Sequence, residues 1–218
     1  MSDQSDLINR LDTLTPQSVE AGHRVFQAHR FGEDDRGHVI RLARWAEIPL
    51  RARVIDMGCG VGEMARIISQ WRDDISWTLV NLSAVQLGYC DETHRTLLCD
   101  FQDVPLMGET FDVVMFCFSI GHGELRRSMN EARRLLRKGG VLFIYDMVRT
   151  HGDNDEMWRE AHYSVRERGV VEGAAWGFDL DWYMEPRDDG GHLQATLGDG
   201  AKIFEGTKPA IWRFIKRD

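Results

Sequence analysis

Cysteine is scarce in this chain of 218 residues, and its four cysteines, Cys59, Cys90, Cys99 and Cys117, are widely spaced. They form no C-x-x-C pair, and no histidines are interleaved with them at zinc-binding spacing. Structural zinc sites need such pairs, so the pattern argues against one. It favours a reduced, cytoplasmic setting.

Long apolar runs and an excess of positive charge are also missing. No apolar stretch approaches membrane-spanning length, and the segment "MSDQSDLINRLDTL" lacks the basic start and apolar core of a secretion signal. The formal net charge of -8 repels nucleic-acid phosphate. We therefore expect a small-molecule or protein partner, no nucleic acid and no membrane span, with a homodimer as a candidate assembly.

The length and the apolar share of 43% fit one α/β domain. Helical spacing of apolar residues predicts cover helices within 1–50. A core at 51–150 and a substrate-side cap with terminal strands at 151–218 complete the predicted domain, 1–218.

From residue 53 onward, short apolar runs alternate with helical patterns, which is typical of βαβ units on a mostly parallel sheet. The predicted core strands are "RVIDMG", "SWTLVNL", "RTLLCD", "FDVVMFCF" and "VLFIYDM". The predicted helices are one at about 62–72, a short one after Ser83, and a long one in "ELRRSMNEARRLLRKGG" that Gly139 and Gly140 end. Farther along, "NDEMWREAHYSVRER" predicts a helix, "FDLDWYME" and "AIWRFIK" predict a terminal antiparallel pair, and "RDDGGHLQATLGDG" predicts a loop.

The stretch "RVIDMGCGVGE" places three alternating glycines between a strand and a helix. Such glycines permit positive φ, and the helix N-terminus offers unpaired N–H groups to an anionic ligand. The dinucleotide fingerprint G-x-G-x-x-G does not match, because the third glycine comes one residue early, and the G-K-[ST] of a Walker loop is absent.

Four ordered segments, "VIDMGCGVG", "CDFQDVP", "FDVVMFCFSIGH" and "EARRLLRKGGVLFI", together resemble the class I S-adenosylmethionine-dependent methyltransferases over residues 40–148. The resemblance implies a Rossmann-like doubly wound, mostly parallel sheet and S-adenosylmethionine as cofactor. It also implies that Asp100 pairs with the adenine amino group. The cofactor contacts expected from these segments are Asp56, Gly58, Cys59, Gly60, Gly62, Asp100, Phe101 and Phe118.

The second strand departs from the common family pattern, since Asn81 stands where most members carry an acid that grips the ribose hydroxyls. An amide oxygen still accepts a hydroxyl hydrogen bond, although more weakly than a carboxylate does. The segment "NLSAVQ" is similar to the "TLSxxQ" of cyclopropane fatty-acid synthases, mycolic-acid methyltransferases and geranyl diphosphate C-methyltransferases. That similarity adds Leu82 and Gln86 to the expected cofactor residues, while a solvated polar role for Gln86 is the alternative.

The branch resemblance raises the hypothesis that an alkene of an isoprenoid or lipid-like molecule is methylated. Aromatic faces would stabilise the carbocation of such a reaction. Aromatic residues of the chain after Asp146 form either an acceptor cap or a small core, among them Trp158, Tyr163, Trp176, Phe178, Trp182 and Tyr183. Against the hypothesis, Phe118 and Ser119 stand where these enzymes place a glutamate, and Glu124 comes several residues later.

Methyl transfer needs an oriented acceptor and a base only where the nucleophile loses a proton. His122 follows the fourth strand and is the candidate base, with a structural role as the alternative. Weaker acceptor-side candidates are Tyr145, Asp146, His151 and His162, and His29 and Arg30 are candidates to reach over the cofactor. No acid follows the fourth strand, so we expect no metal. The sequence thus predicts a methyltransferase acting on a small molecule, in specialised metabolism, with a non-catalytic cofactor-binding protein as the alternative.

Overall fold

A seven-stranded sheet organises the residues described by the computed structural model, which are 4–27, 29–31, 33–149, 176–185, 192–193 and 207–218. Five strands, β2 to β6, come from the predicted core, and two follow it. The strands of the sheet are β2 (Arg53–Met57), β3 (Ser76–Asn81), β4 (Arg95–Leu98), β5 (Phe111–Cys117), β6 (Leu136–Arg149), β7 (Phe178–Met184) and β9 (Thr207–Lys216). Two short strands, β1 (His29–Arg30) and β8 (His192–Leu193), pair with each other apart from this sheet.

The order of the sheet is β4-β3-β2-β5-β6-β9-β7. Strands β2 to β6 run parallel, whereas β9 is antiparallel to both β6 and β7. The prediction of a Rossmann-like doubly wound, mostly parallel sheet with a terminal antiparallel pair is confirmed. Because the chain order reverses between β2 and β5, a crevice opens beyond the carboxyl ends of these two strands, where ligands bind in such sheets.

Helices cover this sheet and connect its strands. Their bounds are α1 (Gln4–Glu20), α2 (Asp35–Ala46), α3 (Glu63–Ser69), α4 (Ala84–Leu87) and α5 (Leu125–Leu135), with a 3₁₀ turn at Ile120–His122. The side chain of Asp34 caps α2 by accepting from the Gly37 N–H at 2.6 Å. The N-terminal cover helices are thus present as predicted.

Two apolar cores lie on opposite faces of the sheet. One is formed by α2 and α3 against β2, β3 and β6, with Leu42, Ile68 and Phe143 among its buried members. The other lies under α5 and includes Met129 and Trp212. Alternating side chains of one strand supply both cores, since Phe143 and Ile144 of β6 point to opposite faces.

Two predicted boundaries were wrong. The helix α5 ends at Leu135 rather than at Gly139, because the N–H groups of Glu109 and Thr110 cap the carbonyls of Arg134 and Leu135 at 2.9 Å, and Leu136 pairs with Phe111 in the sheet. Within the predicted loop 187–200, residues 192–193 are β8. The helix predicted at 154–168, together with Trp158, Tyr163, His151 and His162, lies outside the described residues.

Candidate active site

The glycine loop connects β2 to α3 at the crevice between β2 and β5. Gly58, Gly60 and Gly62 all have positive φ, of 83°, 57° and 72°. The N–H groups of Gly58 and Cys59 both donate to the carbonyl of Val80, at 2.9 and 3.0 Å, so the loop is fixed to the end of β3. Side chains are almost excluded from these φ values, which accounts for glycine at all three positions.

Two of the glycines are also required by packing. A Cβ on Gly58 would lie 2.6 Å from the Cβ of Ser119, and one on Gly62 would lie 2.9 Å from the sulfur of Cys90. A Cβ on Gly60 would meet only a ring carbon of Phe26, at 3.6 Å. Gly60 therefore borders open space, and a side chain placed there would occupy the crevice rather than the core.

Cys59, between two of these glycines, is buried, and its thiol donates to the carbonyl of Gly60 at 3.5 Å. A hydrogen bond with the Cys90 thiol raises the pKa of Cys59 well above its usual value, and burial adds to the effect. The side chain thus stays a neutral thiol under the loop.

Asn81 ends β3 beside the loop and is only 7% exposed. Its amide nitrogen donates to the carbonyl of Gly60 at 3.1 Å and to Oε1 of Gln86 at 2.9 Å. Its Oδ1 accepts from the Ser83 N–H at 3.1 Å. Both amide hydrogens are therefore used, and the oxygen carries the remaining acceptor capacity.

Gln86 is 3% exposed, so it is not the solvated polar residue of the alternative interpretation. Its Oε1 accepts from Asn81, and its Nε2 donates to Oγ1 of Thr15 in α1 at 3.0 Å. Leu82, between the strand and α4, is half-buried. The structure thus brings Asn81, Gln86 and the glycine loop together.

Glu63 begins α3 and is nearly buried, yet its charge is balanced. Its carboxylate accepts from Arg24 at 2.8 Å and from Arg66 on the next turn. Burial alone would raise the pKa of Glu63, but the hydrogen bonds and charges of Arg66 and Arg24 lower it below its ordinary value. Arg24 also donates to the carbonyl of Tyr89 at 3.0 Å, so the segment before β1 is fixed both to the start of α3 and to the turn after α4.

Asp56 lies within β2, just before the loop, and is 1% exposed. Its Oδ1 is buried without a hydrogen-bond partner. Burial raises the pKa of the carboxyl to about 7. A buried carboxyl oxygen that has no partner among the described residues is a feature that a ligand donor would satisfy.

Asp100 and Phe101 follow β4. Asp100 accepts from the backbone N–H of Gln102 at 2.8 Å, and Gln102 in turn accepts from the N–H of Glu124 at 2.8 Å. Phe101 is buried edge-on against Phe116, and its ring approaches Gly58, where an added Cβ would lie 3.9 Å away. The N–H of Cys99 donates to the Asn81 carbonyl at 3.1 Å, so these residues border the same crevice.

Phe118 follows β5 with a φ of 64°, a conformation that a bulky side chain rarely adopts. Its N–H donates to the carbonyl of Tyr145 at 2.7 Å, which helps to hold it there. The next residue, Ser119, is 4% exposed and donates to the Met57 carbonyl at 2.5 Å. The strained residue therefore lies where β2 and β5 end, beside β6, at the bottom of the crevice.

The candidate base, His122, is exposed in the 3₁₀ turn that follows Ser119. Of the acceptor-side candidates, Tyr145 is fully buried, with its ring packed against Phe31 and His38 at centroid distances of 5.7 and 5.6 Å. Asp146 is 2% exposed and accepts from the N–H of Met147 at 2.8 Å. A catalytic role for His122 stays a prediction.

Arg30 does not reach the loop. Its guanidinium forms an ion pair with Asp35 at 3.2 Å and donates to the Glu33 carbonyl at 3.1 Å. Arg24 and Phe26 lie beside the loop instead.

The aromatic residues described after Asp146 pack in the cores. Trp176 and Phe178 belong to the core under α5, and Trp182 and Tyr183 pack partly buried on opposite faces. Within the described ranges, no three His, Cys, Asp or Glu side chains come close enough to hold a metal, and no helix there is long and apolar enough to cross a membrane.

A protein-family model described as "Hypothetical methyltransferase" matches residues 8–162, which is most of the chain and includes most of α1, the loop and the crevice. The chain belongs to this methyltransferase family. The family, with the sheet order above, confirms the predicted class I methyltransferase and S-adenosylmethionine as its cofactor.

Two relatives show the range of substrates among similar proteins. The sterol 4-C-methyltransferase strm-1 of Caenorhabditis elegans is 23% identical over 208 residues, covering 86% of this chain and 61% of the relative. Ribosomal RNA-processing protein 8 of Caenorhabditis briggsae is 33% identical over 113 residues, covering 51% of this chain and 31% of the relative. The chain thus spans less than two thirds of the length of either.

Two solved structures share the fold. The cyclase SpnF superposes with a TM-score of 0.78 and 18% identity over 97% of this chain and 95% of its own. Geranyl diphosphate C-methyltransferase from Streptomyces coelicolor superposes with a TM-score of 0.73 and 14% identity over 99% and 98%. At such identities the likeness shows the fold alone.

Several site residues carried no motif. Thr15 and Arg24 reach the site from the N-terminal segment, and Gln102 links Asp100 to α5. A polar residue within a cover helix has no sequence signal of its own. Only the unusual Asn81–Gln86 pair indicated that this part of the site would be built differently.

Proposed function

We propose that the chain transfers a methyl group from S-adenosylmethionine to a small-molecule acceptor. The observation that carries this proposal is the amide of Asn81, whose donors are both used within the protein while its oxygen remains an acceptor beside the positive-φ glycine loop. A ribose hydroxyl is a donor that such an oxygen accepts.

The residues present fit this cofactor. Gly58, Cys59, Gly60 and Gly62 would hold its methionine part, and the unpartnered Oδ1 of Asp56 offers an acceptor near it. The ribose would be held by Asn81, Leu82 and Gln86, and the adenine by Asp100 and Phe101. Phe118 would contact the cofactor at the end of the crevice. Glu63 does not repel an anionic group here, because Arg24 and Arg66 neutralise it.

The bound cofactor supplies an electrophilic methyl group on a sulfonium. The protein's part is to orient the acceptor and exclude water, with His122 as the proposed base where the acceptor loses a proton. A base needs no burial before the acceptor binds, so the exposed position of His122 is compatible with the role.

A sterol-like or isoprenoid-like acceptor methylated on carbon is the finer proposal. It is supported by the sterol 4-C-methyltransferase relative and by the branch resemblance of "NLSAVQ". The relative named for ribosomal RNA processing makes RNA the competing acceptor, which the net charge of -8 disfavours. We further propose a cytoplasmic location, a homodimer and a role in specialised metabolism.

Calorimetry with S-adenosylhomocysteine tests the cofactor assignment. We expect binding to the native chain and loss of binding in Gly60→Asp. The added carboxylate would project into the open space at the loop, where the methionine part of the cofactor would lie. Gly139→Asp is the control, since Gly139 has a similar φ of 69° and no atom within 4 Å of an added Cβ. Binding by Gly60→Asp as tight as that of the control would contradict the assignment.

Transfer of a tritiated methyl group tests the acceptor. Sterols, prenyl diphosphates, fatty acids and ribosomal RNA would each be incubated with the chain and the labelled cofactor. Label on a lipid supports the proposal, label on RNA overturns the acceptor class, and cofactor binding without any product favours a non-catalytic protein.

A further inference from the structure

We infer that Thr15 of α1 is a positioning residue for the ribose subsite, acting through Gln86 on the amide of Asn81. The inference rests on the proposed cofactor site. Thr15 is 1% exposed, and it lies 71 residues from Gln86 in the sequence. No motif connects the two, so the link is a property of the fold.

The hydrogen bonds form a directed chain. The Thr15 hydroxyl accepts from Nε2 of Gln86 at 3.0 Å and so holds the Gln86 side chain with its Oε1 facing Asn81. An Oε1 in that place can only accept, so Asn81 must present its Nδ2 there, at 2.9 Å. The other Nδ2 hydrogen is used by the Gly60 carbonyl at 3.1 Å. The amide of Asn81 therefore presents its oxygen to the side where a ribose hydroxyl would donate.

Removing the hydroxyl at residue 15 weakens the hold of Gln86 on Asn81, whose amide then keeps only its bonds to the Gly60 carbonyl and the Ser83 N–H. Gln86 would be left with a buried donor, and turning its amide over would bring two NH₂ groups face to face at Asn81. The Gln86 side chain would therefore shift, and the amide of Asn81 would lose one of the three bonds that hold its oxygen in place for a ribose hydroxyl. Ligands without ribose hydroxyls would not sense the change.

A second bond fixes α1 to the same turn. Ser83, the N-cap of α4, accepts from the Gln86 N–H at 3.0 Å, while its hydroxyl donates to Asp12 at 2.5 Å. Asp12 and Thr15 lie three residues apart and so share one face of α1. The helix thus contacts both the cap and the side chain that orient Asn81, which couples its docking to the subsite.

Calorimetry with two ligands tests the inference. The variants are Thr15→Val, Thr15→Ser, and Thr13→Val as the matched control on the exposed side of α1, where the Thr13 hydroxyl donates to the Asn9 carbonyl. The ligands are S-adenosylhomocysteine and its 2′,3′-dideoxy analogue. We expect Thr15→Val to weaken S-adenosylhomocysteine by about tenfold, the size of one lost buried hydrogen bond. Affinity for the dideoxy analogue should stay unchanged, and Thr15→Ser should restore native binding.

An equal loss for both ligands would show a general packing role and overturn the inference, as would no loss for either. If the native chain does not bind S-adenosylhomocysteine, the proposed function itself fails. If the native chain binds S-adenosylhomocysteine and Thr15→Val binds it equally well, only the role of Thr15 is overturned.

Hydrogen exchange on the native chain gives a test that needs no variant to fold. S-adenosylhomocysteine should slow exchange in peptides covering 11–20, since holding Asn81 holds Gln86 and Thr15. The dideoxy analogue should slow it less. Equal protection by both ligands, or none by either, would contradict the coupling.

Discussion

Gly58 and Ser119 approach so closely that a Cβ on the glycine would lie 2.6 Å from the Cβ of the serine. This contact joins the carboxyl ends of β2 and β5, and the Ser119 hydroxyl adds a hydrogen bond to the Met57 carbonyl at 2.5 Å. The ends of the two strands are therefore closely packed at the base of the crevice.

Gly58→Ala should destabilise the protein and abolish cofactor binding. Both the positive φ of 83° and the clash with Ser119 oppose the added methyl group. We expect a loss of about 2–4 kcal/mol in the free energy of unfolding, measured with urea. Gly22→Ala is the control, because Gly22 has a φ of 84° and nothing within 4 Å, so it carries the φ cost alone. An equal loss of unfolding free energy in the two variants would show that the contact between the added methyl group and Ser119 costs nothing.

Asn81→Asp should weaken the site, although it restores the acid that most members of the class carry. The carboxylate would face the Gly60 carbonyl and Oε1 of Gln86, two acceptors that now bond to the amide nitrogen of Asn81. We expect a loss of roughly 2 kcal/mol in the free energy of unfolding and weaker binding of S-adenosylhomocysteine. Asn130→Asp on the exposed face of α5 is the control. Tighter binding by Asn81→Asp would show that the network rearranges freely.

Asp56 should make the ligand-free protein less stable as the pH rises. Burial raises the pKa of its carboxyl from 3.8 to about 7. The contribution of the bound proton to the free energy of unfolding is therefore fully present below pH 3.8 and is lost as the pH rises through 7. We expect Asp56→Asn to gain roughly 2–4 kcal/mol over the native chain between pH 4 and pH 8, at about 1.4 kcal/mol per pKa unit. Urea unfolding at several pH values measures the difference.

Asp74→Asn is the control with the opposite sign. Hydrogen bonds from Arg72 and from the Arg51 N–H lower the pKa of Asp74, so its contribution is present above the unfolded pKa and is lost as the pH falls. A pH profile of Asp56→Asn that matches the native one would contradict the burial argument.

His38 should make the protein sensitive to acid. Its Nδ1 accepts from the Phe31 N–H at 3.0 Å, its Nε2 bonds to Gln27, and burial lowers its pKa to about 3 from 6.5. The stability of the neutral ring is present above pH 6.5 and is lost as the pH falls towards 3. We expect the free energy of unfolding of His38→Gln at pH 5 to have fallen by about 2 kcal/mol less than that of the native chain.

His94→Gln serves as the comparison for His38. Its ring is only half-buried near Trp77, and burial lowers its pKa as well. The flattening of the acid branch should therefore be smaller. If both variants change the unfolding profile equally, burial does not govern the acid response.

The sheet could be predicted from the sequence because each of its core strands is a short apolar run ended by a polar or glycine residue. The loop was predictable for the same local reason, since three alternating glycines need positive φ. The end of α5 was not, because Glu109 and Thr110 cap it from a distant loop. Nor was the two-stranded pair β1–β8, which joins residues more than 160 positions apart.

Gln86 shows where local information ends. Its residue type indicated a contact near the ribose, but its burial and its bond to Thr15 depend on how α1 lies across the sheet. Arg24 is similar, because nothing in "GHRVF" indicates that it neutralises Glu63 from 39 residues away. Charge balance at the loop is thus a tertiary property.

The hydrogen bond between Thr15 and Gln86 also bears on the order in which parts of the chain fold. During synthesis Thr15 leaves the ribosome before Gln86, which follows it by 71 residues. The face of α1 that carries Thr15 therefore stays in water until Gln86 has emerged. Contacts of such long sequence separation form late in folding. Competence to bind the methyl donor should therefore appear after the sheet has assembled, in the step that closes the N-terminal helix over it.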